Sequence, residues 1–191
     1  MHPLILALDV AGNPHQWITH EDAAYYYTKS LVAWDFGSDG CVLHGGTSRI
    51  TNTQSQLALS SIIAIKGKTL RAEAMPRYNT PSLTNKALFQ RDRNLCAYCG
   101  HGFMDNELTR DHVMPSSRGG PNTWNNCVTS CKRCNNIKGD RTPTEYGHEL
   151  LYLPYTPNRA EYLILTNKRI LADQMEFLLS KVPAHSRLLV N

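Results

Sequence analysis

Several things are scarce in this sequence. No apolar run approaches the roughly 18 residues that a membrane-spanning helix requires, so no such span is expected. The opening Met1-His2-Pro3-Leu4 has no basic cluster and no small-residue cleavage site, so no secretory signal is expected either. Charge of one sign is also scarce: 20 Lys and Arg stand against 16 Asp and Glu, a net +4. What excess exists is local. Residues 91–141 hold eight basic against five acidic side chains, while residues 1–90 hold seven against six and residues 142–191 five against five. That favours an anionic partner for the middle of the chain but is too weak to identify nucleic acid alone. Apolar and charged contents of 41% and 19% are those of a globular protein rather than a disordered one. The six cysteines include two Cys-x-x-Cys pairs. In a chain with no secretory signal that spacing predicts metal ligation rather than disulfides. The expected compartment is the cytoplasm of a bacterium, or of one infected by a phage that encodes the chain.

The chain begins as a small α+β unit, residues 1–75. Leu4–Val10 reads as a buried strand closed by Gly12-Asn13-Pro14, and Gln16–Ile18 as a second short strand. Thr19 ahead of Glu21 and Asp22 predicts a helix start running through Lys29. Tyr25, Tyr26 and Tyr27 are consecutive, so on a helix they cannot share one face, and nucleic-acid stacking is not their expected role. Leu31–Trp34 and Cys41–His44 flank Gly37-Ser38-Asp39-Gly40, which predicts a hairpin there. Residues 47–60 read as a polar loop and Ser61–Ile65 as a strand. Cys41 and His44 lack a second ligand pair and are read as a buried thiol and a surface imidazole. Residues 71–82 read as a linker, in which Arg71, Arg77 and Tyr78 could touch phosphate.

The expected functional core spans residues 76–147. Thr84 predicts a helix cap, and the helix delivers the chain to Cys96. Cys96-Ala97-Tyr98-Cys99 and Cys131-Lys132-Arg133-Cys134 each present two thiolates from one tight bend. Together they predict one structural zinc site. The 31 residues between Cys99 and Cys131 are long enough to hold a hairpin. Glu107–Val113 has strand character, Ser116–Pro121 is a polar loop, Asn126–Thr129 returns as a strand, and Cys131–Lys138 fits a short helix stopped by Gly139. Cys127 is out of step with both pairs and reads as a strand-buried thiol.

Phosphodiester hydrolysis needs a water nucleophile, a base to take its proton, and positive charge at the phosphate. His112 suits the base, because an imidazole titrates near neutrality, at about 6.5. Asp111 and Asn135 are hard oxygen donors suited to Mg2+ or Mn2+. Adjacent strand residues face opposite ways, so Asp111 and His112 can serve one site only if the strand twists or ends there. Arg110, Arg118, Lys132, Arg133, Lys138 and Arg141 are candidate phosphate contacts.

The order strand, loop, strand, helix, with Asp111-His112, then Asn126 and Asn135 at 14 and 23 residues after the histidine, resembles the HNH endonuclease family and its ββα-metal site. The four-Cys clip, the Ser-Arg-Gly-Gly loop and the Asn-x-x-Lys-Gly-Asp ending add to the likeness, and the nuclease domain of CRISPR effector proteins carries a similar set. The resemblance implies His112 as general base, Asp111 and Asn135 as ligands of the catalytic ion, and Asn126 as the brace that keeps His112 oriented. It implies DNA as the partner. RNA, or a zinc-braced module that binds without cutting, remains the alternative. After the core, Thr142-Pro143-Thr144-Glu145 predicts a short helix. Residues 148–191 read as a helical extension in which 160–181 form one long amphipathic helix, docked on the N-terminal unit or contacting a second copy in a homodimer. The residues after Pro183 are expected to be loose.

Overall fold

The computed structural model describes residues 3–67, 80–184 and 186–189. The linker positions Arg71, Arg77 and Tyr78 lie outside them. The described residues form an α+β fold of six strands and six helices in two compact units. One unit holds residues 1–79 together with 159–191, and the other holds 80–158. The C-terminal segment is thus divided. Residues 148–158 stay with the core, and the helices beyond them belong to the first unit.

The first unit is a four-stranded sheet in the order β2-β1-β4-β3. β1 (Ile5–Leu8) is fully buried and central, antiparallel to β2 (Pro14–Ile18) and parallel to β4 (Gln54–Ile65). The helix α1 (His20–Thr28) starts as Thr19 predicts, with the Thr19 hydroxyl accepting from the Asp22 amide at 3.2 Å. Tyr26 and Tyr27 pack on one apolar face of the sheet, and Tyr25 points to solvent.

The hairpin expected at Gly37–Gly40 does not form. Val32–Thr47 is one continuous strand, β3, paired antiparallel with β4. The turn-like residues instead mark irregularities in the ladder between Phe36 and Cys41. Gly37 has φ +100°, and a Cβ there would lie 2.1 Å from the Ser61 hydroxyl and 2.5 Å from an Asp173 carboxylate oxygen. Glycine is required by that close approach, not by a turn. The real reversal is at residues 48–53. Residues 54–60, read as loop, are strand because they pair with β3, from Gln54 opposite Thr47 to Ser60 opposite Asp39, even though few are apolar.

The long C-terminal helix is also two helices, α5 (Arg159–Thr166) and α6 (Ala172–Leu179). Asn167 ends the first of them, its side-chain oxygen accepting from the Arg169 amide at 3.0 Å in competition with the helical pattern. Ala160, Leu163 and Leu178 pack on Leu6, Leu8, Ile62 and Ala64, so the apolar face is covered within the unit. Ser186 is buried and its hydroxyl donates to Glu161, so order extends beyond Pro183.

In the second unit, α2 (Asn85–Arg91) is capped by Thr84 and leads to the first Cys pair. The strands β5 (Leu108–His112) and β6 (Cys127–Cys131) pair antiparallel, with Asp111 opposite Val128 and His112 opposite Cys127. Then come α3 (Lys132–Lys138), which packs on both strands, and the short α4 (Pro143–Tyr146). Arg91 ties the unit together. Buried with Asp92 as an ion pair at 2.8 Å, it also donates to the carbonyls of Trp124, Cys127 and Tyr155, each at 2.8 Å. Asp92 in turn accepts the Thr129 amide at 2.9 Å. Every polar end is satisfied, as a buried charge pair requires.

Asp173, on α6, accepts from the Ser61 hydroxyl at 2.5 Å and from the Ser38 amide and hydroxyl at 2.7 and 3.0 Å. Burial pushes its pKa up, but these hydrogen bonds outweigh burial and hold it below its ordinary 3.8. A lowered carboxylate pKa stabilises the fold fully above the ordinary value and progressively less as pH falls through the folded value. Asp173→Asn is therefore expected to cost roughly 1–2 kcal/mol at neutral pH. In thermal melts across pH, its deficit against the parent should shrink below pH 4; a deficit that is constant down to pH 2 would contradict this.

Candidate functional site

Two constellations meet in the second unit. The first is the cysteine cluster. The Sγ atoms of Cys96, Cys99, Cys131 and Cys134 all lie within 4.8 Å of one another. Bonds of about 2.3 Å to one tetrahedral ion would place the sulfurs about 3.8 Å apart, so the cluster fits such an ion. Local sequence explains the bends. Gly100 takes φ +72° after the first pair, and the Cys96 amide donates to His101 O at 3.0 Å while Gly100 N returns to Cys96 O at 3.0 Å. The second pair opens α3, where the Cys134 amide donates to the Cys131 sulfur at 3.4 Å.

The thiols are unequal. Burial raises Cys96, but amides from Cys99, Cys131 and Tyr98 outweigh it and bring its pKa down to about 7. Burial raises Cys99 and Cys134, and neighbouring cysteine sulfurs add to the rise. Four thiols this close cannot all ionise without a cation among them, which is the donor chemistry of a metal site. Phe103, Tyr146 and Leu150 close the cluster from the side.

The second constellation is a cleft of about 210 Å³ lined by Arg110, Asp111, His112, Ser116, Asn135 and Lys138, with Asp140 on its rim. β5 ends at His112, and both Asp111 and His112 line the cleft despite their alternating directions. The loop after His112 is bound back by Asn126. Its side-chain oxygen accepts the Met114 amide at 2.9 Å, and its amide group donates to Met114 O and Pro121 O at 3.1 and 2.9 Å. Gly120 completes the fold of this loop, because a Cβ there would sit 1.8 Å from Met114 O.

Asp111 is buried, and both its oxygens are engaged. Lys138 Nζ donates to Oδ1 at 2.9 Å, and the Tyr98 hydroxyl donates to Oδ2 at 2.5 Å. Burial, together with the bond to Asp111, raises the Tyr98 pKa far above the ordinary phenol range and keeps it a donor. Lys138 also donates to His112 O at 2.9 Å. A carboxylate has about four lone-pair sites, so Asp111 retains capacity for a cation. Asn135 Nδ2 is directed at Thr109 Oγ1 at 3.5 Å, which leaves its carbonyl oxygen for the cleft. The donors here are hard oxygens, and waters and substrate would have to complete the shell of an ion such as Mg2+.

The other expected residues divide. Arg110 lines the cleft, its guanidinium held by Asn122 at 2.7 Å and Leu83 O at 3.2 Å. Lys138, expected at phosphate, is buried with 1% exposure and spent on Asp111 and His112 O. Arg118 is on the surface, paired with Glu145 at 2.8 Å. Arg141 donates to Lys138 O at 3.0 Å and lies over the Tyr146 ring, closing the end of α3. Lys132 and Arg133 are exposed on another cavity, of about 730 Å³, beside the cysteine cluster. Cys127 is buried in β6, and burial raises its pKa. Sequence reading missed Tyr98. Its place inside the first Cys-x-x-Cys was the available signal, since a side chain there is fixed by the tight bend that gathers the two thiols.

Residues 96–151 match the family model of HNH endonucleases. Over 77 residues the chain is 35% identical to the CRISPR-associated endonuclease Cas9 of Corynebacterium diphtheriae. That alignment covers 40% of this chain and 6% of that protein, so the chain corresponds to a small part of its relative. An HNH endonuclease domain therefore occupies residues 96–151. No helix among the described residues is long and apolar enough to cross a membrane.

Free energy of metal binding at a four-thiolate site is folding free energy. Cys134→Ser should therefore unfold the second unit and leave the protein without bound metal. Metal content by mass spectrometry, read beside thermal melting, checks this; a metal-free variant with the parent's melting curve would contradict it.

Proposed function

We propose that the chain is a metal-dependent endonuclease that hydrolyses DNA phosphodiester bonds in the cleft between β5 and α3. The observation that carries this reading is the convergence of Asp111, His112 and Asn135 on one cleft whose exit loop is braced by Asn126. His112 takes a proton from the attacking water. The water oxygen bonds to phosphorus, the bond to the leaving oxygen breaks, and solvent protonates the leaving group. Lys138 holds the carbonyl of His112 itself and Asn126 holds Met114 two residues on, and together they fix the imidazole's place. Asp111 and Asn135 would hold one Mg2+ or Mn2+, which when bound supplies positive charge at the scissile phosphate and leaving oxygen. Arg110 adds a cation at the cleft wall. The four thiolates hold a structural zinc that takes no part in the chemistry. One such site cuts one strand, so a double-strand break would need two copies or two encounters.

A second reading draws on the engagement of each Asp111 oxygen, one by Lys138 and the other by Tyr98. Such a carboxylate could serve only as a strut in a module that binds nucleic acid without cutting it. Cleavage of supercoiled plasmid with Mg2+ or Mn2+ separates the two. The parent should nick, and His112→Ala should lose on the order of 10²-fold or more in rate with zinc content and melting temperature intact. Equal cleavage by both proteins would refute the assigned base. Retained DNA binding with no product under any divalent ion would favour the non-cutting module, and parallel digestion of labelled RNA tests the substrate class.

A further inference from the structure

β3 and β4 run past the sheet they belong to. β1 pairs with β4 only at residues 62–64, whereas the β3–β4 ladder continues out to Thr47 and Gln54. The outer part is a two-stranded ribbon, and every residue from His44 to Gln56 is exposed. Thirteen residues that bury nothing have no hydrophobic reason to be ordered. They are held by polar bracing instead. Ser48 N donates to Thr53 O and Asn52 N to Ser48 O, each at 2.9 Å, and the Ser48 hydroxyl accepts the Ile50 and Thr51 amides at 3.3 and 3.2 Å. Across the ribbon, Gln54 Nε2 donates to Gly45 O at 3.1 Å and Ser55 Oγ to Gly46 O at 3.2 Å. Gly45 is demanded by that contact, since a Cβ would lie 2.2 Å from the Ser55 hydroxyl.

What the ribbon presents is specific. There is no Asp or Glu from Cys41 to Gly67. The tip carries Arg49, whose guanidinium makes no hydrogen bond or ion pair among the described residues, and Ile50, which is 96% exposed. The flanks are Ser, Thr, Asn and Gln, which both donate and accept hydrogen bonds. An acid-free, donor-and-acceptor-rich ribbon with a cation and an apolar side chain at its tip is complementary to a polyanion with readable base edges. The major groove of B-form DNA, about 12 Å wide and about 8.5 Å deep, admits a two-stranded ribbon. Five residues of strand reach about 17 Å, enough to enter it. The deep, narrow major groove of duplex RNA does not admit one.

We infer that residues 44–56 form an arm that enters the major groove of duplex DNA, with Arg49 on phosphate and Ile50 against base methyl groups. The inference rests on the reading of DNA as substrate and adds a binding element outside the HNH domain. It is tested by fluorescence anisotropy with the full chain and no added divalent ion, on a labelled DNA duplex and the RNA duplex of the same sequence. Arg49→Glu should weaken DNA binding about tenfold and lower the slope of log affinity against log salt by about one. Ile50→Ser should weaken it severalfold with little change in slope, and neither variant should alter RNA binding. Both side chains are exposed, so melting curves should match the parent. The inference is overturned if both variants bind DNA as the parent does, if RNA binding falls equally, or if light scattering shows the variants break a dimer joined along the free edge of β3. Failure of the nuclease reading would appear separately, as no cleavage by the parent with any divalent ion.

Discussion

The buried carboxylate of Asp111 is the constraint on which the functional unit depends. Taking an ionised carboxylate out of water costs several kcal/mol unless it is paired and hydrogen-bonded. Here both compensating donors come from the cysteine clips. Tyr98 lies between Cys96 and Cys99, and Lys138 ends the helix that Cys131 and Cys134 begin. The cysteine cluster therefore does more than close a loop. It places the two groups that make a buried Asp111 tolerable, and Lys138 extends the hold to His112 through its carbonyl. A change at either clip is transmitted to the cleft through one hydrogen bond.

That coupling also explains why two kinds of donor lie so close without confusion. The soft thiols are gathered within 4.8 Å, with Tyr146, Phe103 and Leu150 packed against them. The cleft offers a carboxylate, an amide and an imidazole on an open face. Ions sort by ligand softness, so a thiophilic ion and a hard, exchangeable one can occupy neighbouring sites.

Much of this was legible in the sequence, for local reasons. Thr19, Thr84 and Thr142 announce helix starts through side-chain caps that act within three residues. The Cys pairs and the Asp-His, Asn, Asn spacing lead to the second unit because their chemistry constrains spacing. What failed depended on distant contacts. Gly37 looks like a turn residue, but its reason is the approach of Ser61 and Asp173, far along the chain. Lys138 looks like a phosphate contact on a helix, but the face it shares with Asp111 is known only once β5 packs on α3. Asn167 divides a helix whose apolar pattern continues across the break.

The central claim is that Asp111, while anchored by Tyr98 and Lys138, still joins Asn135 in holding an exchangeable cation beside His112. Anomalous diffraction from crystals soaked in Mn2+ tests it most directly. The account predicts one manganese peak in the cleft, bonded to an Asp111 oxygen and to Asn135 Oδ1, with zinc signal confined to the four sulfurs. A cleft without manganese at saturating concentration, with Asp111 still bound only by Lys138 and Tyr98, would contradict it.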